Sequence, residues 1–189
     1  MNSRLSQTWV NRHRAGRMQQ LISCCIVAMF VIWLSPVHAT EKFRSIKLKT
    51  LDGTTRTLAD YRGKATLVAF FFPTCTYCNQ ALPETLKIYN KYKDQGLTMV
   101  WINIVPEEVK KIPDWEAQHH YEDVPVLVGA SQRKLQRIYK IEMTPEHLLL
   151  DHDGDILYRQ RGYHQGNEKA LEDQVKQALN LTGQPLAVN

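Results

Sequence analysis

"ATLVAFFFPTCTYCNQALPETLKIYNKYKDQG", residues 65–96, decides how this chain is read. Residues 65–72 are apolar apart from Thr66 and rich in phenylalanine, the pattern of a short strand buried on both faces. From Asn79 onward the apolar positions Leu82, Leu86, Ile88, Tyr89 and Tyr92 follow helical spacing, and Gly96 is a natural stop. Between the two lie Cys75 and Cys78. A strand thus runs into Cys75, and a helix begins at or just after it. The free N–H groups and macrodipole of a helix start favour negative charge. A thiolate held there ionises below the roughly 8.5 of free cysteine. Cys78, one turn on, is placed to attack a mixed disulfide formed on Cys75. Thiol–disulfide exchange needs this pairing of an accessible, ionised attacker with a resolving thiol.

The remainder of the chain supplies alternating strands and helices. Asp52-Gly53 reads as a hairpin turn between two short strands ahead of residue 65. Residues 97–105 form a second buried strand. Residues 106–120 look helical, with Pro106 at the start and a disturbance at Pro113. A short extended segment, "VPVLVG", precedes a helix over 131–141 with Ser131 as its cap. Residues 146–162 form a hairpin turning at Asp153-Gly154. Residues 167–183 close the chain as an amphipathic helix capped by Asn167. This order implies an α/β sandwich around a mixed central sheet.

The 189 residues fit one domain with some extra sequence. Of 24 basic residues four, Arg4, Arg12, Arg14 and Arg17, precede Thr40, where no acidic residue occurs. That leaves 20 basic against 19 acidic residues from Thr40 onward, so the excess of positive charge gives no case for binding nucleic acid. The early arginines belong to an address. They are followed by the uncharged run "LISCCIVAMFVIWL", residues 21–34, and by "SPVHA", where a signal peptidase could cut after Ala39. The apolar run is short against the roughly 20 residues of a spanning helix, though residues 21–37 could remain as an uncleaved anchor. Cys24 and Cys25 are apolar filler within it, and no lipoprotein box fits, because the apolar run follows Cys24. Both readings place residues 40–189, the folded domain, outside the cytoplasm.

After cleavage only Cys75 and Cys78 remain. Disulfides persist outside the cytoplasm, but a bridge closing so small a loop constrains the unfolded chain little. A CxxC pair is also often half of a zinc site. Zinc needs two further ligands, no third mature cysteine exists, and of the histidines from His119 to His164 only His147 is near a segment expected beside the cysteines.

The block "LDGTTRTLADYRGKATLVAFFFPTCTYCNQALP" resembles the TlpA/ResA-like thioredoxin-fold family of exported thiol–disulfide oxidoreductases. A second block, "MTPEHLLLDHDGDILYRQRGY", is similar to that family's segment of cis-proline, strand and Gly turn. The resemblance implies a thioredoxin fold with an N-terminal β-hairpin extension. It implies a cis Pro145 with Thr144 against the cysteines, and substrate contacts from Thr144, Pro145, Thr76 and Tyr77. From the residues alone Pro145 could equally be a trans proline at a strand edge. By the same resemblance Pro83 kinks the active-site helix, no cofactor beyond the Cys75–Cys78 disulfide is needed, the clients are proteins bearing disulfides or thiols, and a membrane thiol carrier recycles the pair.

The departures from that pattern are specific. Ala69 stands where thioredoxins carry a buried Asp, and Ala81 where TlpA/ResA-like reductases often carry a Glu. A buried acid there would move protons to and from the resolving thiol. His147 replaces a usual Thr and is read as a strand residue, with tuning of the cysteines or metal binding as its other readings. The expected activity is protein disulfide exchange outside the cytoplasm, as a reductant. The alternative is a copper chaperone using Cys75, Cys78 and His147, since soft thiolates suit Cu(I). A peroxidase fits less well, because Phe72 stands where peroxiredoxins carry a Thr.

Overall fold

The computed structural model describes residues 41–181. The expected export segment and the cut after Ala39 lie outside the described residues, and the closing helix ends at Ala178, short of the expected Gly183. The strands are β1 (Leu48–Lys49), β2 (Thr55–Arg56), β3 (Ala65–Phe71), β4 (Leu97–Asn103), β5 (Val126–Leu127), β6 (Glu146–Asp151) and β7 (Ile156–Arg161). The helices are α1 (Thr76–Tyr92), α2 (Ile112–His119), α3 (Gln132–Tyr139) and α4 (Asn167–Ala178).

Every residue of β3 is buried, as its unbroken apolar run requires, and it lies at the centre of a five-stranded sheet ordered β5-β4-β3-β6-β7. It pairs parallel with β4, from Ala65 opposite Leu97 to Phe71 opposite Asn103. On its other side it pairs antiparallel with β6, from Ala65 opposite Asp151 to Phe70 opposite Glu146. The sheet is therefore mixed, and its helices cover both faces, in the expected thioredoxin fold. The hairpin β1–β2 turns through Gly53, whose φ of 87° suits glycine, and Lys49 joins it to the sheet edge by backbone bonds to Val128 of 2.9 and 2.7 Å.

Side chains alternate across a strand, so β3 divides the core in two. Leu67, Ala69 and Phe71 pack with Cys78 and Leu82 of α1, Trp115 of α2 and Leu171 and Val175 of α4. Val68 and Phe70 point the other way, toward Leu135 and Tyr139 of α3 and the N-terminal Phe43 and Leu58. Phe43 stacks on Tyr139 with ring centres 4.1 Å apart.

Helix α1 begins at Thr76, just after Cys75 as expected, and Cys75 itself caps it. Two local expectations are corrected. Residues 106–111 are a 3-10 turn, and α2 starts only at Ile112, with Pro113 in its first turn where a missing N–H is harmless. Gly166, at φ 99°, and not Asn167, precedes α4, and the Glu168 carboxylate accepts the Gly166 N–H at 2.9 Å.

Candidate functional site

Strand β3 ends at Phe71, and three residues, Phe72, Pro73 and Thr74, bring the chain to Cys75 at the mouth of α1. Cys75 has extended backbone angles (φ −74°, ψ 108°), and its Sγ accepts the N–H of Cys78 at 3.1 Å. That bond uses one of the free N–H groups of the helix start and would stabilise negative charge on the same sulfur. Cys75 and Cys78 are joined by a disulfide. Cys75 keeps a narrow 6% exposure, whereas Cys78 has none. A partner arriving from solvent therefore meets Cys75 first.

Thr144 and Pro145 are brought to the same sulfur by β6. The Thr144–Pro145 peptide is cis, and Thr144 Oγ1 lies 3.7 Å from Cys75 Sγ. Strand β6 starts at Glu146, so Thr144 stands beyond the ladder at the end of the sheet. Thr76 is exposed beside Cys75, and Tyr77 is 60% exposed. Met143, the chain neighbour of Thr144 and unmarked by any local pattern, is 50% exposed. Tyr77 and Met143 are thus exposed apolar side chains within two residues of Cys75 and Thr144 in the chain. Pro83 lies inside α1, where its ring removes one helical N–H.

The loop before Cys75 is tied from a distance. Glu108, in the 3-10 turn after β4, accepts the Thr74 N–H at 3.0 Å and the Thr74 hydroxyl at 2.5 Å. Burial pushes the Glu108 carboxyl up, but the Thr74 donors and Lys111 outweigh it and hold it below its usual range. Asn79 donates to the Pro73 carbonyl at 3.1 Å and accepts from Trp115 Nε1 at 2.8 Å. A cleft of about 490 Å³ opens alongside, between Pro73, Thr74 and the α2 residues Trp115 and His119. Sequence reasoning missed Glu108 and Trp115, which lie 34 and 40 residues from Thr74 and Cys75 and carry no motif.

Behind the cis-proline, Glu146 is fully buried and bonded to Arg159, with Arg161 Nε at 3.8 Å. Burial raises its carboxyl, and Arg159 draws it part of the way back. The next residue, His147, is 1% exposed, and burial pulls it down from 6.5 to about 4, so it is neutral. Among the described residues, the one cluster with metal-ligand spacing is Asp151, His152 and Asp153, on the turn at the far end of β6. His147 and the two sulfurs form no such cluster, and the copper alternative draws no support from the geometry.

Beside this strand-to-helix CxxC facing a cis-proline stands the match of a family model, Redoxin, to residues 38–177. The chain belongs to the redoxin family. This redoxin is 27% identical over 109 residues to thiol-disulfide oxidoreductase ResA of Geobacillus kaustophilus, an alignment covering 58% of this chain and 61% of that protein. It therefore spans under two thirds of that relative's length. Its fold superposes, with a TM-score of 0.66 and 25% identity, on a Chlorobium tepidum protein described as thiol:disulfide interchange protein DsbE, covering 74% of this chain and 96% of that one. The thioredoxin domain of a Bacteroides vulgatus thiol-disulfide oxidoreductase matches at a TM-score of 0.60 and 26% identity, over 75% of this redoxin and 99% of that domain.

Proposed function

We propose that this redoxin is a protein thiol–disulfide oxidoreductase that works outside the cytoplasm as a reductant. Cys75 attacks a client disulfide, and Cys78 resolves the mixed disulfide. The observation that carries the reading is the Cys75 sulfur, which takes a helix N–H, touches Thr144 and holds the only exposed edge of the pair. The names of the similar ResA and DsbE-type proteins support the chemistry. The export-type sequence before Thr40 supports the location. No helix among the described residues is long and apolar enough to cross a membrane. Clients are proteins with an accessible disulfide, docked across Thr144, Pro145, Thr76 and Tyr77, and a membrane thiol carrier returns electrons to the pair.

Two measurements test this. A Cys78→Ala variant accumulates a stable mixed disulfide with its client through Cys75. Equilibration of the wild-type pair with glutathione gives a potential close to thioredoxin's, about −270 mV, and a value close to DsbA's, about −120 mV, would make it an oxidant.

A further inference from the structure

His147 is buried, and neither of its ring nitrogens has a hydrogen-bond partner among the described residues. Buried polar groups are nearly always paired, so an exception calls for an explanation, and a redox or catalytic role is one. In β6, His147 lies opposite Ala69 of β3 on one side and Gln160 of β7 on the other. Leu149, two residues on and hence on the same face, packs in one cluster with Ala69, Cys75, Cys78 and Leu82. The imidazole is therefore on the sulfur side of the sheet. Directly opposed residues have Cβ atoms about 5 Å apart, and the small side chain of Ala69 leaves the ring room. Ala69 and Ala81 are the two positions where a buried acid is missing.

We propose that His147 is the proton acceptor for Cys78, supplying from β6 what a carboxylate at position 69 or 81 would supply. The inference rests on the exchange chemistry above. In the resolving step Cys78 Sγ bonds to Cys75 Sγ and the Cys75–client S–S bond breaks. Over attack and resolution together the cysteine pair loses two electrons to the client disulfide, and in this step the client sulfur leaves as a thiolate. The Cys78 proton passes to a ring nitrogen of His147 and then to the client thiolate or to water. A thiol without exposure ionises poorly because its charge loses hydration. A thiolate–imidazolium pair is neutral overall, so its burial is far less costly. The titratable groups in this cluster are Cys75, Cys78, Tyr89 and Tyr92 on α1, Tyr121 just after α2 and Tyr158 on β7, while β3 contributes Ala69 and α4 contributes Leu171 and Val175. Glu146 and Arg159 pack on the opposite face, in line with Leu148.

The test uses reduced full-length protein carrying Cys24→Ser and Cys25→Ser, so that Cys75 and Cys78 are its only thiols, and excess dithiobis(nitrobenzoate), following two successive releases of thionitrobenzoate. The first reports attack by Cys75 and the second resolution by Cys78. His147→Leu keeps the apolar packing and slows the second release relative to the first by about 10²-fold at pH 7. Its second release also keeps accelerating into alkaline pH, whereas the wild-type rate levels off nearer neutrality. His147→Gln, polar but unable to take the proton, behaves like His147→Leu. In the unaltered protein, the His147 ring resonances respond to pH differently once the disulfide is reduced. An unchanged second phase and pH profile in both variants, or a ring indifferent to reduction, overturns the proposal. Absence of both releases in wild type would instead overturn the exchange reading itself.

Discussion

At the scale of single residues, two buried ionisable groups set opposing pH dependences of stability. His147 ionises near pH 4 when folded and near 6.5 when unfolded. Between those values the unfolded chain binds the extra proton, so stability falls as pH drops from about 6.5 to 4. Glu116 is pushed up from 4.5 to about 7 by burial and by Glu122. There the folded chain holds the extra proton, so this contribution is lost as pH rises from 4.5 to 7. Relative to wild type, His147→Leu therefore gains most at acid pH, and Glu116→Gln gains most at neutral pH. Each difference is at most about 3 kcal/mol. Denaturant unfolding at pH 4.5 and 7 checks both, and equal shifts at the two pH values would contradict the assignment.

At the scale of elements, the mouth of α1 is held by groups drawn from separate parts of the chain. Removing the Glu108 carboxylate leaves the Thr74 N–H and hydroxyl without their partner. Glu108→Ala is expected to destabilise the protein by about 1–2 kcal/mol and to raise the hydrogen-exchange rate of the Thr74 and Cys75 amides. An unchanged rate would show that the loop holds its own shape. This tie also marks the limit of what the sequence discloses. The β3 run, the CxxC and the hairpin turns are local signals, since burial periodicity and turn chemistry act over a few residues. The start of α1 just after Cys75 was legible from the end of the apolar run, whereas Gly166 ahead of α4 was hidden by the better capping residue next to it. The Glu108 and Asn79–Trp115 contacts depend on how β4 and α2 return to β3, which no local pattern encodes. His147 was visible as an oddity, but its burial and register with Ala69 came only from the sheet.

At the scale of the whole molecule, β3 is the shared wall of both cores, and the site is built on its end. Leu67, fully buried at the middle of that strand, is a direct probe: Leu67→Ala should cost about 2–5 kcal/mol in global unfolding, with the reactivity of Cys75 retained below the transition. The fold then serves to present one sulfur to solvent at a helix mouth while sealing the other. The alkylation rate of the reduced protein with iodoacetamide, followed against pH with the modified cysteine located by mass spectrometry, tests this most directly. The account predicts that, of Cys75 and Cys78, Cys75 alone reacts, with a midpoint well below the 8.5 or so of a free thiol. A midpoint at or above that value, or modification of Cys78 first, would contradict it.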